Sequence, residues 1–281
     1  MCALLLVGCI DTTIEATTID LAVAGTDARA PFEGRRGAMI TLERADVAFG
    51  PLYLCAGFQA GELCDEALAE WRDAVVVDAL DPSTHGVGEM NALTGTARSY
   101  MFDYGITSLL TQEDPLVLPA AESLGPASAR LEGRVEVDGQ SFAFTARVRV
   151  EQGADVEQGV PVVRSAASSG FEAPILDAGR SRLEVRFDPR AWFASADFAG
   201  LTEDATCSPD GAPLVCAGSV EQTCDLDGSV LETRDCPAIG QACLRGLGCV
   251  ESITLDADDQ TGRALRLGLE AGARPTFTLS E

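Results

Sequence analysis

The stretch from Arg130 to Val150 constrains the fold of this chain more than any other. Leu131, Val135 and Val137 alternate with Glu132, Arg134 and Glu136, Asp138-Gly139 supplies a two-residue turn, and Phe142, Phe144, Ala146, Val148 and Val150 alternate on the return. A two-residue turn sets Val135 opposite Phe142 and Leu131 opposite Ala146, so turn register and apolar pattern agree on which face is buried. Arg134, Thr145, Arg147 and Arg149 are left facing solvent. One-sided burial belongs to antiparallel sheets packed face to face, and predicts an all-β chain, an antiparallel β-sandwich with short helical excursions.

The flanking sequence extends that reading. Ile40 and Leu42 alternate with Thr41 and Glu43, and Val47, Phe49, Leu52 and Leu54 continue extended through a bend at Gly50-Pro51. Residues 65–72 predict a short helix with Leu68 and Trp71 on one face, followed by a strand at Val75–Val77. Further strands are expected at Val160–Val163 and Leu183–Phe187, with Trp192 and Phe193 in a turn packing back on the sheet. Near the end, the alternation of Leu265, Leu267 and Leu269 with Arg266 and Gly268 predicts a strand, and Pro275–Leu279 another.

Between Cys207 and Cys249 the composition changes to six cysteines separated by 8, 7, 11, 6 and 5 residues, with almost no apolar run. Such a stretch cannot build its own core and predicts an inserted, loop-dominated module stapled by three disulfides among Cys207, Cys216, Cys224, Cys236, Cys243 and Cys249. Spacing leaves the 15 connectivities open. A zinc site is the competing reading, and the stretch has neither a C-x2-C pair nor a histidine for it. Cys55 and Cys64, eight residues apart around Gly57 and Gly61, suit a fourth bridge closing a surface loop. The six-cysteine run, with its Asp227-Gly228 turn and the ending Cys243-Leu244-Arg245-Gly246-Leu247-Gly248-Cys249, resembles small modules of exported proteins of myxobacterial type.

At the other end, the apolar Ala3-Leu4-Leu5-Leu6 leads into Leu6-Val7-Gly8-Cys9. This resembles the lipobox of bacterial lipoproteins, in which the cysteine is acylated and becomes the first mature residue. The resemblance implies a signal peptide over residues 1–8, lipid on Cys9 and stable membrane association through more than one acyl chain. Ile10, in place of an inner-membrane-retaining aspartate, implies the outer membrane, facing the periplasm or the cell surface. The domain plan is then a lipid-anchored tether over 9–38 with one possible strand at Thr18–Val23, a β-sandwich over 39–202, the cysteine-rich insert over 203–250, and return strands over 251–281. The tether would reach about 30 Å from the membrane if flexible.

All twenty basic residues are arginine, and they face 44 carboxylates for a net charge of −24. Such a surface repels phosphate backbones and excludes nucleic acid as a partner. The single histidine, His85, removes most hydrolase and metal constellations, and no G-x-S-x-G or phosphate-cradling glycine motif is present. Three functional classes remain. A non-catalytic role in binding a protein or glycan, with no cofactor, is the first reading. The alternative is an accessory protein in copper acquisition or handling, using His85 with Met90 or Met101 as soft ligands. The third is a hydrolase with an acidic dyad, which sequence cannot locate. Asp256–Gly262 departs from the calcium-loop pattern at its fifth and sixth positions and reads as a solvated acidic turn.

Overall fold

A computed structural model of the 281-residue chain describes residues 14–57, 67–107, 116–117, 119–125, 127–150, 163–164, 171–175, 181–256, 258–272 and 274–280. The chain begins with β1 (Ala16–Ala24) and β2 (Phe32–Glu33), then runs through β3 (Met39–Phe49), β4 (Leu52–Cys55), β5 (Ala67–Trp71), β6 (Val75–Asp78) and β7 (His85–Leu93). There follow β8 (Gly95–Ala97), β9 (Ser99–Phe102), β10 (Ile106–Thr107), β11 (Leu116–Val117), the helical turn α1 (Pro119–Ser123), β12 (Ala129–Val137) and β13 (Gln140–Val148). After β14 (Val163–Arg164), β15 (Ala173–Ile175) and β16 (Ser181–Arg186), the cysteine-rich region holds β17 (Leu214–Ala217), β18 (Val220–Cys224), β19 (Val230–Asp235), β20 (Ala242–Leu244) and β21 (Gly248–Val250). The chain closes with β22 (Ser252–Leu255), α2 (Gln260–Leu267) and β23 (Thr276–Ser280).

These strands form two principal sheets. One has eight strands in the order β14-β9-β4-β5-β7-β1-β16-β23, and the other runs β2-β3-β12-β13-β22 with β6 added on β3. β3 turns out of the second sheet at Phe49, and after Gly50-Pro51 the chain enters the first as β4, so this corner joins the two layers. Inward alternation supplies Ile40, Leu42, Leu131, Val135, Phe142 and Phe144 from one sheet and Ile19, Leu21, Leu52, Leu54, Leu183 and Val185 from the other, all at most 2% exposed. The eight-stranded sheet curls until its edge strand β23 packs against β9 near the other edge, with the Phe277 and Tyr100 rings 4.0 Å apart.

The hairpin forms in the expected register, Val135 opposite Phe142 and Leu131 opposite Ala146. Its turn residues Asp138 and Gly139 both have positive φ (51° and 74°), the twist that two-residue hairpins require. The fold is thus an all-β sandwich, mostly antiparallel, with two parallel pairs, β1 with β16 and β13 with β22, that the local pattern did not announce.

Four expectations are corrected. The folded part begins before Met39: β1 lies inside the eight-stranded sheet between β7 and β16, with Ile19 fully buried, so residues 16–24 are core and not tether. The described part of 65–72 is strand β5 and not helix. Its Ala69 pairs with Leu54 on one side and Ala92 on the other, and sheet hydrogen bonding on both sides outweighs a weak local preference. The strand expected at 265–269 is helical, because Leu265 and Leu269 are buried one turn apart while Leu267 points out. Asp259 starts that helix by accepting hydrogen bonds from the amides of Gly262 (2.5 Å) and Asp256 (2.7 Å), which gives the acidic turn a capping role. Finally, the insert carries five short strands among its loops and turns and is not merely a loop-tip extension, because part of it enters the main core, as described next. The 160–162 part of the expected strand before β14 lies outside the described residues.

Candidate interaction surface

Six cysteines in 43 residues hold the insert together from within. Cys207 pairs with Cys224, Cys216 with Cys243 and Cys236 with Cys249. Cys216, Cys236 and Cys243 are fully buried and pack together with Cys249 as a small sulfur-centred core, in place of the aliphatic one that the segment lacks. Around it, β17, β18 and β19 form an antiparallel sheet and β20 and β21 a hairpin. Glu221 ties these pieces together: its Oε2 accepts from the Cys249 amide (2.6 Å) while Oε1 lies 3.8 Å from Arg234. In the Asp225–Ser229 turn, hydrogen bonding from Ser229 holds the Asp227 carboxyl below the usual carboxylate range.

The module is keyed to the sandwich at the hairpin turn. Leu244 and Ala242 of β20 are buried in the main hydrophobic core. Gln140, at the start of β13, accepts from the Cys243 amide through Oε1 (2.7 Å), and its Nε2 reaches the Gly218 carbonyl at 3.5 Å. The Thr202 hydroxyl donates to Asp138 in the turn itself (2.7 Å), and the Arg245 amide donates to the Leu201 carbonyl (2.7 Å). Arg36 bridges Asp197 (3.3 Å) and Glu203 (2.8 Å), and Arg245 joins Glu203 at 3.3 Å. The burial of Ala242 and Leu244, the Gln140 bonds, the Arg245–Leu201 bond and the Arg36–Glu203 pair are contacts that a displayed loop would lack.

Large apolar side chains are also exposed on the module. Nine large hydrophobic side chains are exposed among the described residues, and five of them, Leu226, Val230, Leu231, Ile239 and Leu247, lie in this segment. Single exposed leucines are ordinary; their concentration on one small module, with Leu226 89% and Leu231 63% exposed, makes the module the candidate surface.

The residues singled out for copper are not brought together. His85 opens β7 at an exposed position, its Nε2 2.9 Å from Asp81. The Ser83 amide and then His85 draw the Asp81 carboxyl down to about 2. Met90 lies five residues further along the same strand, about 17 Å away at strand rise, fully buried in the core. Met101 is in β9, three strand spacings or about 14 Å from β7. It alternates with the core-facing Tyr100 and Phe102, so it looks out of the other face of the sheet from Met90. No group of three or more His, Cys, Asp or Glu side chains is placed to hold a metal among the described residues.

Among the carboxylates, Glu70 and Glu89 border a concavity of about 480 Å³ beside Trp71, Arg72 and Asn91. Glu70 is already engaged there by two hydrogen bonds from Arg72, at 2.6 and 3.2 Å. Cys55 is disulfide-bonded, and Cys64 and Cys9 lie outside the described residues.

The candidate surface of the module was missed in the sequence. Its residues are scattered between cysteines, and their exposure follows from how the strands and turns of the module fold.

No family model matches the chain, and no curated protein matches it. Among solved structures, MbnP from Methylosinus trichosporium is similar at 16% identity, covering 95% of this chain and 99% of that one with a TM-score of 0.35. A TM-score of this size does not establish a common fold, and the role of the chain is read from its own residues.

Proposed function

We propose that this is a lipid-anchored, non-catalytic binding protein of the outer cell envelope, in which the sandwich is the scaffold and the cysteine-rich module presents the partner-binding face. The concentration of exposed apolar side chains on a module locked by three disulfides and fastened to the core is the observation that carries this reading. Disulfides of this density belong to oxidising compartments outside the cytoplasm, which supports export. Rigidity supports binding, because a surface that is already ordered loses little conformational freedom when a partner docks.

Two measurements test it in the producing cell. A photo-crosslinking residue at Leu231 is expected to capture a specific partner protein, whereas one at Arg182, on the outer face of the eight-stranded sheet, captures none. Equal labelling from both positions would refute the assignment of the surface. Cys9→Ala is expected to release the protein from membranes and abolish incorporation of labelled fatty acid; retention of both would refute the anchor.

A further inference from the structure

We propose that β19 is a docking edge that takes an extended, basic segment of a partner protein as an added strand. The inference rests on the module being the partner-binding face and goes beyond it in naming the mode and the chemistry of recognition.

β19 is the outer strand of the order β17-β18-β19, and all six of its residues are exposed. The other edge strand, β17, is engaged on its outer side, where the Cys216 carbonyl accepts from the Ala205 amide (2.8 Å), which leaves β19 as the open edge of this sheet among the described residues. An unpaired edge offers a row of backbone donors and acceptors to any extended chain that approaches it. The register shift between Thr223 and Cys224 bends β19 at Val230–Leu231. Regular pairing is therefore available over Glu232–Asp235, and the incoming chain meets the apolar pair Val230 and Leu231 just beyond.

Charge identifies the occupant. Between residues 207 and 249 there are six carboxylates, Asp210, Glu221, Asp225, Asp227, Glu232 and Asp235, against Arg234 and Arg245 alone. A strand with Lys or Arg opposite Glu232 and Asp235, and apolar residues toward Val230 and Leu231, is complementary to this edge. A second copy of the chain is the poorer occupant: antiparallel self-pairing centred on Thr233 sets Glu232 against Arg234, but it leaves Leu231 against Asp235 and brings together two molecules of net charge −24.

The test uses the purified full chain and three synthetic twelve-residue peptides: Val-Thr-Lys repeated four times, so that lysines three residues apart can stand opposite both Glu232 and Asp235, the same with Glu in place of Lys, and the Lys peptide N-methylated at alternate residues to remove strand hydrogen bonds. Amide hydrogen exchange is expected to show protection of Glu232–Asp235 with the Lys peptide, binding at least about tenfold weaker with the Glu peptide, and none with the N-methylated one. The double substitution E232R/D235R, at exposed positions, is expected to reverse the preference between Lys and Glu peptides while leaving the three disulfides intact. The inference is overturned by any of three results: no protection of Glu232–Asp235 at saturating Lys peptide, protection that survives N-methylation, or protection that rises with protein concentration alone. A partner that crosslinks to Leu231 in cells without protecting β19 would overturn strand addition and leave the module as the binding face.

Discussion

Leu244→Ala separates a module that is part of the core from one that merely hangs on a loop. If residues 203–250 were a loop extension, their replacement by a short Gly/Ser linker would change stability by no more than roughly 1–2 kcal/mol, since closure entropy grows slowly with loop length. The structure gives a larger figure. Leu244 is fully buried among main-core residues, and truncating a buried leucine to alanine costs about 2–5 kcal/mol once lost transfer energy and the residual cavity are both counted. The anchoring bond from Gln140 adds to this on deletion, because each buried group left without its partner costs about 1–3 kcal/mol. We therefore expect Leu244→Ala to lower the stability of the sandwich by about 3 kcal/mol, and deletion of 203–250 by at least as much. The assay is urea unfolding followed by tryptophan fluorescence. Trp71 and Trp192 both belong to the main core, so the signal reports the sandwich and is blind to the module unfolding alone. With a denaturant slope of about 3 kcal/mol per molar for a chain of this size, the midpoint should fall by about 1 M. A tryptophan transition unmoved by both changes would refute the reasoning.

Three further outcomes are expected. Gly133→Ala should destabilise the hairpin sheet by about 1–3 kcal/mol, because a Cβ there overlaps the Thr41 carbonyl and the Phe144 ring; thermal unfolding checks it. Cys216→Ser with Cys243→Ser should cost on the order of 3–4 kcal/mol in module stability from loss of a 27-residue closure, and peptide mapping of the parent should return the three pairings; a different connectivity would dismantle the module described. Because the folded-state pKa of Asp81 is lowered to about 2, its contribution to stability is fully present above the ordinary carboxylate value of 3.8 and is lost as pH falls through about 2. Asp81→Asn should flatten stability over that window, and a carboxyl titration placing Asp81 near 4 would refute it.

The hairpin was legible because its two signals are local and redundant: turn chemistry at Asp138-Gly139 and period-two burial on both sides gave the same register. α2 was misread because leucines at 265, 267 and 269 satisfy a period of two as readily as a buried pair one turn apart. Asp259, three residues ahead of Gly262, was the cap signal that distinguishes them. The place of β1 had no local signal at all, since its parallel partner β16 lies some 160 residues away and its own sequence specifies only that it is extended. For the disulfides, sequence gave the number and the segment, while the first-to-third, second-to-fifth and fourth-to-sixth pairing follows from how β17–β21 fold. The exposed apolar residues of the module were hidden for the same reason.

The parallel pairing of β1 with β16 also fixes an orientation. Under the proposed acylation of Cys9, only six residues would separate the lipid from Ala16, a reach of at most about 20 Å, which would hold the sandwich close over the headgroups. The end of β1 near Glu15 is then the floor of the molecule, where Ile14 and Leu93 are exposed side by side with the turn at Thr94. Its far end, about 27 Å higher at Ala24, is level with the end of β16 at Arg186. The chain leaves β16 there and runs through Pro189–Leu201 into the cysteine-rich module. Under the proposed anchor at Cys9, β1 would be a post held at its Ala16 end, with its Ala24 end, beside Arg186, the one from which the chain runs on to the cysteine-rich module.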